Sequence, residues 1–211
     1  MMMRKNEPLR AACSRADLTV ADGVPVVWAT RLVGDPLAER VAGVDLMSNL
    51  LQAGHEAKLR FFFLGAKQEV LDTLRGILES RYPDLVIAGM RNGYFGEANN
   101  ADAVAEIKAA RADILFIGMP TPFKEIWAER HRQELDSKVI IGVGGSFDVL
   151  AGYVKRAPLW MQKIGMEWFW RLRCEPRKMW KRYLVTNTQF LFYLGREVWW
   201  RRLLGQKAPT A

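Results

Sequence analysis

Apolar and polar positions along the chain fall into two alternating patterns. Lys58 to Leu64 (KLRFFFL), Asp84 to Met90 (DLVIAGM), Asp113 to Met119 (DILFIGM) and Lys138 to Val143 (KVIIGV) are short, nearly continuous apolar runs rich in β-branched and aromatic residues. Such runs predict strands covered on both faces. Between them, Lys67 to Arg81, Ala101 to Arg111 and Pro122 to Leu135 carry the three- and four-residue spacing of amphipathic helices, and Val44 to Ala53 is a further helical stretch. Ahead of these, Asp17 to Ala21 reads as a short strand. Asp22 to Gly34 reads as a helix, with Asp22 as its N-cap, Pro25 in its first turn and Gly34 as its stop. The alternation predicts an α/β fold, a Rossmann-like, mostly parallel sheet flanked by helices.

From Pro158 the pattern changes to helices dense in Arg, Lys and Trp. Pro158 and Pro176 mark helix starts, and Pro176 to Leu204 reads as one long helix, interrupted or bent near Thr186–Gln189. Trp180, Tyr183, Leu184, Leu191, Leu194 and Val198 recur at helical spacing and predict one apolar face. Two domains are expected. Residues 1–153 form an α/β domain, and residues 154–211 a basic, Trp-rich helical appendage.

Charge sharpens that division. The 211 residues carry a net charge of +8, yet residues 151–211 account for +10 and residues 1–150 for −2. Six of the eight Trp lie in the same last third. Cations interleaved with Trp suit an anionic membrane surface, where rings sit at headgroup level and cations meet phosphates. The plainer reading is that the stripe packs on the protein's own core or on a second copy in a homo-oligomer. Nucleic acid is a further class that uses such residues, but no recognition motif is present, so none is expected. No run reaches the ~20 apolar residues of a membrane span, and Met1 to Arg10 lacks the apolar stretch of a signal peptide. The expectation is a cytoplasmic protein, peripheral on the inner face of the plasma membrane. The two cysteines, Cys13 and Cys174, form no metal-like spacing. The histidines, His55 and His131, read as exposed and without a role, and no DxD occurs. No metal and no cofactor are expected.

In parallel sheets, ligands bind beyond the carboxyl ends of the strands. That rule points to Asp22, Gly65, the Arg91–Phe95 loop with Tyr94, Gly118–Thr121 and Gly144–Ser146. Asp22, beside Gly23, is placed to accept a proton from an attacking hydroxyl, or else simply caps its helix. Arg40 is suited to a diphosphate, or to a surface ion pair with Glu39 or Asp45. Gly144 and Gly145 let backbone amides approach phosphate, or serve tight packing. Thr121 is placed to cap the next helix, and Lys124 to reach a phosphate or an acidic sugar, or to sit in a solvated first turn.

Several pieces occur together in a fixed order. They are Ala21-Asp22-Gly23 with Val26-Val27-Trp28, Glu39-Arg40-Val41-Ala42-Gly43-Val44-Asp45-Leu46, Phe62-Phe63-Leu64-Gly65-Ala66, Arg81-Tyr82-Pro83 and Gly93-Tyr94-Phe95. Gly142-Val143-Gly144-Gly145-Ser146-Phe147-Asp148, Arg156-Ala157-Pro158 with Trp160-Met161-Gln162, Glu167-Trp168, Arg171-Leu172 and Glu175-Pro176-Arg177 complete the set. Over about Pro8 to Tyr183 the chain resembles the WecG/TagA/CpsF family of bacterial glycosyltransferases.

The resemblance implies an inverting transferase that takes a UDP-sugar, often of N-acetylmannosamine type, and a polyprenyl-diphosphate-linked acceptor in cell-surface polysaccharide synthesis. It implies residues 1–153 as a nucleotide-sugar-binding catalytic domain, Asp22 as catalytic base and Arg40 as a donor-site residue; the strand-end positions add Gly65, Tyr94, Thr121, Lys124, Gly144 and Gly145 around the donor. Arg171 with Arg177, Lys178, Lys181 or Arg182 would complete the site for the acceptor and its diphosphate at the membrane. Two departures stand out. The family begins with a further strand and a Thr/Asn-bearing loop, of which only the helix Glu7 to Ala16 is expected here, so the first family strand is expected to be missing. Many members also carry Gln where this chain has Lys124, which points to a different donor sugar, a hexose or an acidic one. Two alternatives compete: an inactive or truncated membrane-associated nucleotide-binding scaffold, and an NAD-binding oxidoreductase resting on the glycine run alone.

Overall fold

The structure is a computed structural model, and it describes residues 2–203, without the side chains of Glu97, Lys178, Arg182 and Arg202. The described residues group into two compact units. One holds Asn6–Leu18 and Gly43–Lys155; the other holds residues 2–5, 19–42 and 156–203.

The first unit is built on four parallel strands, β1 (Arg60–Gly65), β2 (Val86–Arg91), β3 (Ile114–Gly118) and β4 (Val139–Gly142), in the order β2-β1-β3-β4. The four apolar runs are these strands. Successive side chains on a strand point to opposite faces, and the strand sequences exploit this. Phe61, Phe63, Ile114 and Phe116 share one core with Met47, Leu51, Leu71, Leu74 and Phe147. These partners come from α3 (Gly43–Glu56), α4 (Gln68–Arg81) and α7 (Ser146–Leu150). Phe62, Leu64, Leu115 and Ile117 share the other core with Val104, Ile107 and Trp127, from α5 (Asn100–Ala110) and α6 (Phe123–His131). Both faces are covered, so both residue parities must be apolar. At the amino-terminal edge, the Asp113 carboxylate accepts from the Arg60 amide at 2.9 Å and pairs with Lys138 at 2.7 Å. The Lys138 hydrogen bond first, then the Arg60 amide, holds that carboxyl below its usual pKa.

α1 (Glu7–Ser14) opens with Asn6 as N-cap, its side chain accepting from the Leu9 amide at 2.9 Å, and packs against α6. Asp17 to Ala21 forms no strand. Leu18 is 80% and Val20 43% exposed, so the segment has neither a ladder partner nor a face to bury, and β-propensity alone does not make a strand.

The second unit holds α2 (Val24–Leu32), α8 (Leu159–Lys163), α9 (Glu167–Cys174) and α10 (Pro176–Leu203). Gly165 turns the chain between α8 and α9 at φ +71°, and a Cβ there would lie 3.1 Å from the Val24 side chain. That close approach seats the turn on the start of α2. At the other end of α2, Arg201 donates to the Val33 carbonyl at 2.6 Å, a cation on the carbonyl end of a helix. α10 is unbroken through Thr186–Gln189, contrary to the expected interruption, because no Pro or close Gly pair interrupts its ladder there. Its apolar residues do not form one buried stripe either. Tyr183, Leu194 and Val198 are half-buried, while Trp180, Leu184 and Leu191 are exposed, as are Phe192, Trp199 and Trp200. Among the described residues, no helix is long and apolar enough to cross a membrane.

Candidate functional site

Asp22 lies just before α2. The N-cap is Gly23, not Asp22, so the carboxylate sits one residue outside the helix and is exposed. The Val41 amide donates to the Ala21 carbonyl at 2.8 Å, which brings the backbone carrying Arg40 alongside that carrying Asp22. Arg40 pairs with Glu167, the first residue of α9, at 2.8 Å, and its second terminal nitrogen lies 3.4 Å from the Gln162 side-chain oxygen. Gln162 is buried and donates to the Ala157 carbonyl at 2.6 Å. The other Glu167 oxygen lies 3.8 Å from Arg171, one turn along α9. Arg171, Arg177 and Lys181 are exposed, on α9 and the first turns of α10; the side chains of Lys178 and Arg182 fall outside the described residues. The Trp168 and Tyr183 rings meet edge-on at 6.1 Å and tie α9 to α10. One unit therefore carries an exposed carboxylate and a set of cations.

The other unit carries the glycine-rich ends of the strands. The chain leaves β1 toward β2 and leaves β3 toward β4, so the crevice expected of such a sheet opens at the carboxyl ends of β1 and β3. Gly65 closes the end of β1 at φ +137°, where a Cβ would lie 2.5 Å from the Gly118 carbonyl. The Ala66 amide donates to Gly118 at 3.2 Å and the Gly93 amide to Ala66 at 3.0 Å. Gly65 therefore serves backbone packing at this edge. Beside it, at the end of β2, an open cleft of about 330 Å³ is lined by Gln68, Arg91, Asn92, Tyr94, Phe95 and Asn99 with Met90. Tyr94 is 75% exposed, and Arg91 is engaged by Glu106. The amides of Gln68, Asn92 and Asn99 were not singled out from the sequence; only the loop position of Asn92 hinted at them.

Thr121 does not cap α6, whose N-cap is Pro122. Its hydroxyl donates to Glu125 at 2.9 Å and accepts from Lys124, which also pairs with Glu125. The Lys124 side chain is only 14% exposed, and its stem runs where a Cβ on Gly142 would come within about 3.0 Å. It is therefore neither a solvated surface cation nor an uncompensated one. Cys13 lies near this pair, and burial first, then the Glu125 charge, pushes its thiol pKa up against the opposing effect of Lys124. Gly144 takes φ +55°, Gly145 is the N-cap of α7, and open space surrounds both. The histidines are not exposed as expected: His131 packs on Trp127 at 4.9 Å and His55 on Tyr82 at 5.7 Å. Both rings serve packing.

A parallel α/β sheet with open glycine loops at its carboxyl edge belongs to the class of folds in which ligands generally bind at that edge. The chain belongs to the glycosyl transferase WecG/TagA/CpsF family, whose profile matches residues 1–204. It is 37% identical over 184 residues to the N-acetylglucosaminyldiphosphoundecaprenol N-acetyl-beta-D-mannosaminyltransferase of Bacillus subtilis (strain 168), which covers 87% of this chain and 71% of that relative. A protein of the same name from Bacillus spizizenii is 34% identical over 180 residues, 85% of this chain and 69% of its own. One from Staphylococcus aureus (strain NCTC 8325) is 37% identical over 169 residues, 80% of this chain and 64% of its own. The chain is a glycosyltransferase.

Proposed function

We propose that this protein moves a sugar of N-acetylmannosamine or hexose type from a UDP-sugar to the sugar of a polyprenyl-diphosphate-linked acceptor, with inversion, at the inner face of the plasma membrane. The likeness to relatives named for that transfer carries the reading. The acceptor hydroxyl attacks the anomeric carbon opposite the leaving group and gives its proton to the Asp22 carboxylate, as a general base requires. The bond from the anomeric carbon to the UDP oxygen breaks, and UDP leaves with the electron pair. Its growing charge falls to the cations of α9 and α10, Arg171, Arg177 and Lys181 among them, in place of a metal. Within the sheet unit by itself, Tyr94 and the side-chain amides lining the β2 cleft offer an aromatic face and hydrogen bonds of the kind a nucleotide uses, and Gly144 and Gly145 offer accessible backbone. Lys124, neutralised by Glu125, favours a neutral sugar over an acidic one.

The test is Asp22→Asn, assayed with UDP-N-acetylmannosamine and an N-acetylglucosaminyl diphospholipid. Asp22 is exposed and outside the helix, so the variant keeps its unfolding midpoint while turnover falls by about 10²–10⁴-fold. Turnover close to that of the unaltered protein removes Asp22 as the base.

A further inference from the structure

Arg40 and Glu167 stand 127 residues apart in sequence and meet at 2.8 Å with side chains only 15% and 21% exposed. Arg40 also faces the buried Gln162, itself fixed on the Ala157 carbonyl. Both terminal nitrogens of the guanidinium are thus directed at protein groups. A planar fork committed on both prongs is poorly placed to grip a diphosphate as well, because bidentate recognition uses those same donors. Glu167 begins α9, where its charge also favours the helix N-terminus. Its second oxygen lies 3.8 Å from Arg171, which is 46% exposed.

We infer that Arg40 is a positioning residue: through Glu167 it fixes α9 on the segment that follows α2, and so sets the place of Arg171, the cation that meets the substrate diphosphate. This rests on the transferase reading for the last step only. The pairing makes three residues act as a relay, with Glu167 holding Arg40 on one side and orienting Arg171 on the other. A substrate-binding Arg40 and a positioning Arg40 respond in opposite ways to exchanging the two charges. Where Arg40 itself grips phosphate, a Glu at that position repels the substrate whatever stands at 167. Where Arg40 acts through Glu167, the exchange rebuilds the pair.

The experiment compares the full chain with Arg40→Glu, Glu167→Arg and the double exchange. One readout is transfer from UDP-N-acetylmannosamine to an N-acetylglucosaminyl diphospholipid; the other is hydrogen exchange across Glu167–Cys174. Each single change should raise the UDP-sugar KM by about tenfold or more and speed exchange in α9 by a similar factor; the double exchange should recover most of the α9 protection and part of the KM, since the cation then at position 167 faces Arg171. Two outcomes overturn the inference: a double exchange as impaired as Arg40→Glu, or unchanged α9 exchange in the single variants. Should the charge reversals unfold the chain, Arg40→Gln, Glu167→Gln and their combination decide instead. The two single changes should then cost about as much as the pair, and additive losses overturn the inference. If the unaltered protein transfers no sugar, the transferase reading fails, while α9 exchange still decides whether Arg40 holds that helix through Glu167.

Discussion

Single residues in this protein divide by what their atoms touch. Gly65 lies at the ligand edge of the sheet, and its sequence position suggested a contact with the donor. Its backbone at φ +137° and the Gly118 carbonyl 2.5 Å from a would-be Cβ give it a structural duty instead. Gly65→Ala is expected to lower stability by about 1–3 kcal/mol or more, since both strain and a backbone clash act together. Thermal unfolding measures this, and a variant with an unchanged midpoint but a raised donor KM would restore the binding role. Asp22 has the opposite character. Its carboxylate is exposed, so its substitution should show far more in turnover than in unfolding.

At the level of elements, the strands supply the centre of both buried cores. In β3, Phe116 is fully buried, stacks on Phe61 at 5.8 Å and meets Phe63 at 5.7 Å. Truncation there leaves a cavity between two strands and the helices covering them. Phe116→Ala is therefore expected to cost about 3–5 kcal/mol, read from the denaturant midpoint at constant slope. A cost below about 1 kcal/mol would mean the core closes around the gap. These strands were legible because a run apolar at both parities has few other stable uses. Asp17 to Ala21 shows the limit of that logic. Its residues favour a strand locally, but a strand needs a ladder of neighbours, and the Val41 amide on the Ala21 carbonyl is a single backbone bond, not a ladder.

For the whole molecule, the charge gradient along the chain becomes an exposed surface. α10 presents Trp180, Leu184, Leu191, Phe192, Trp199 and Trp200 to solvent, with Arg177 and Lys181 in its first turns. We propose that this surface meets an anionic bilayer. Pelleting with phosphatidylglycerol vesicles should be strong at low salt and weaken as salt rises, since the Debye length shrinks from about 10 Å at 0.1 M to about 3 Å at 1 M. Replacing Trp199 and Trp200 with Ser should weaken binding at every salt concentration. Equal binding to neutral vesicles at high salt would leave the cations without a part in the contact.

The sequence by itself determined the parallel sheet, its covering helices, the family and the concentration of cations and Trp in the last third, because each is written in local periodicity, composition or the order of motifs. Only the tertiary structure decided that residues 19–42 group with the C-terminal helices, that Gly65 faces Gly118, that Lys124 is compensated by Glu125, and that Arg40 spends its charge on Glu167. Most of those facts depend on groups that the chain brings together from distant positions. An Arg looks the same in sequence whether it waits for a phosphate or already holds a carboxylate.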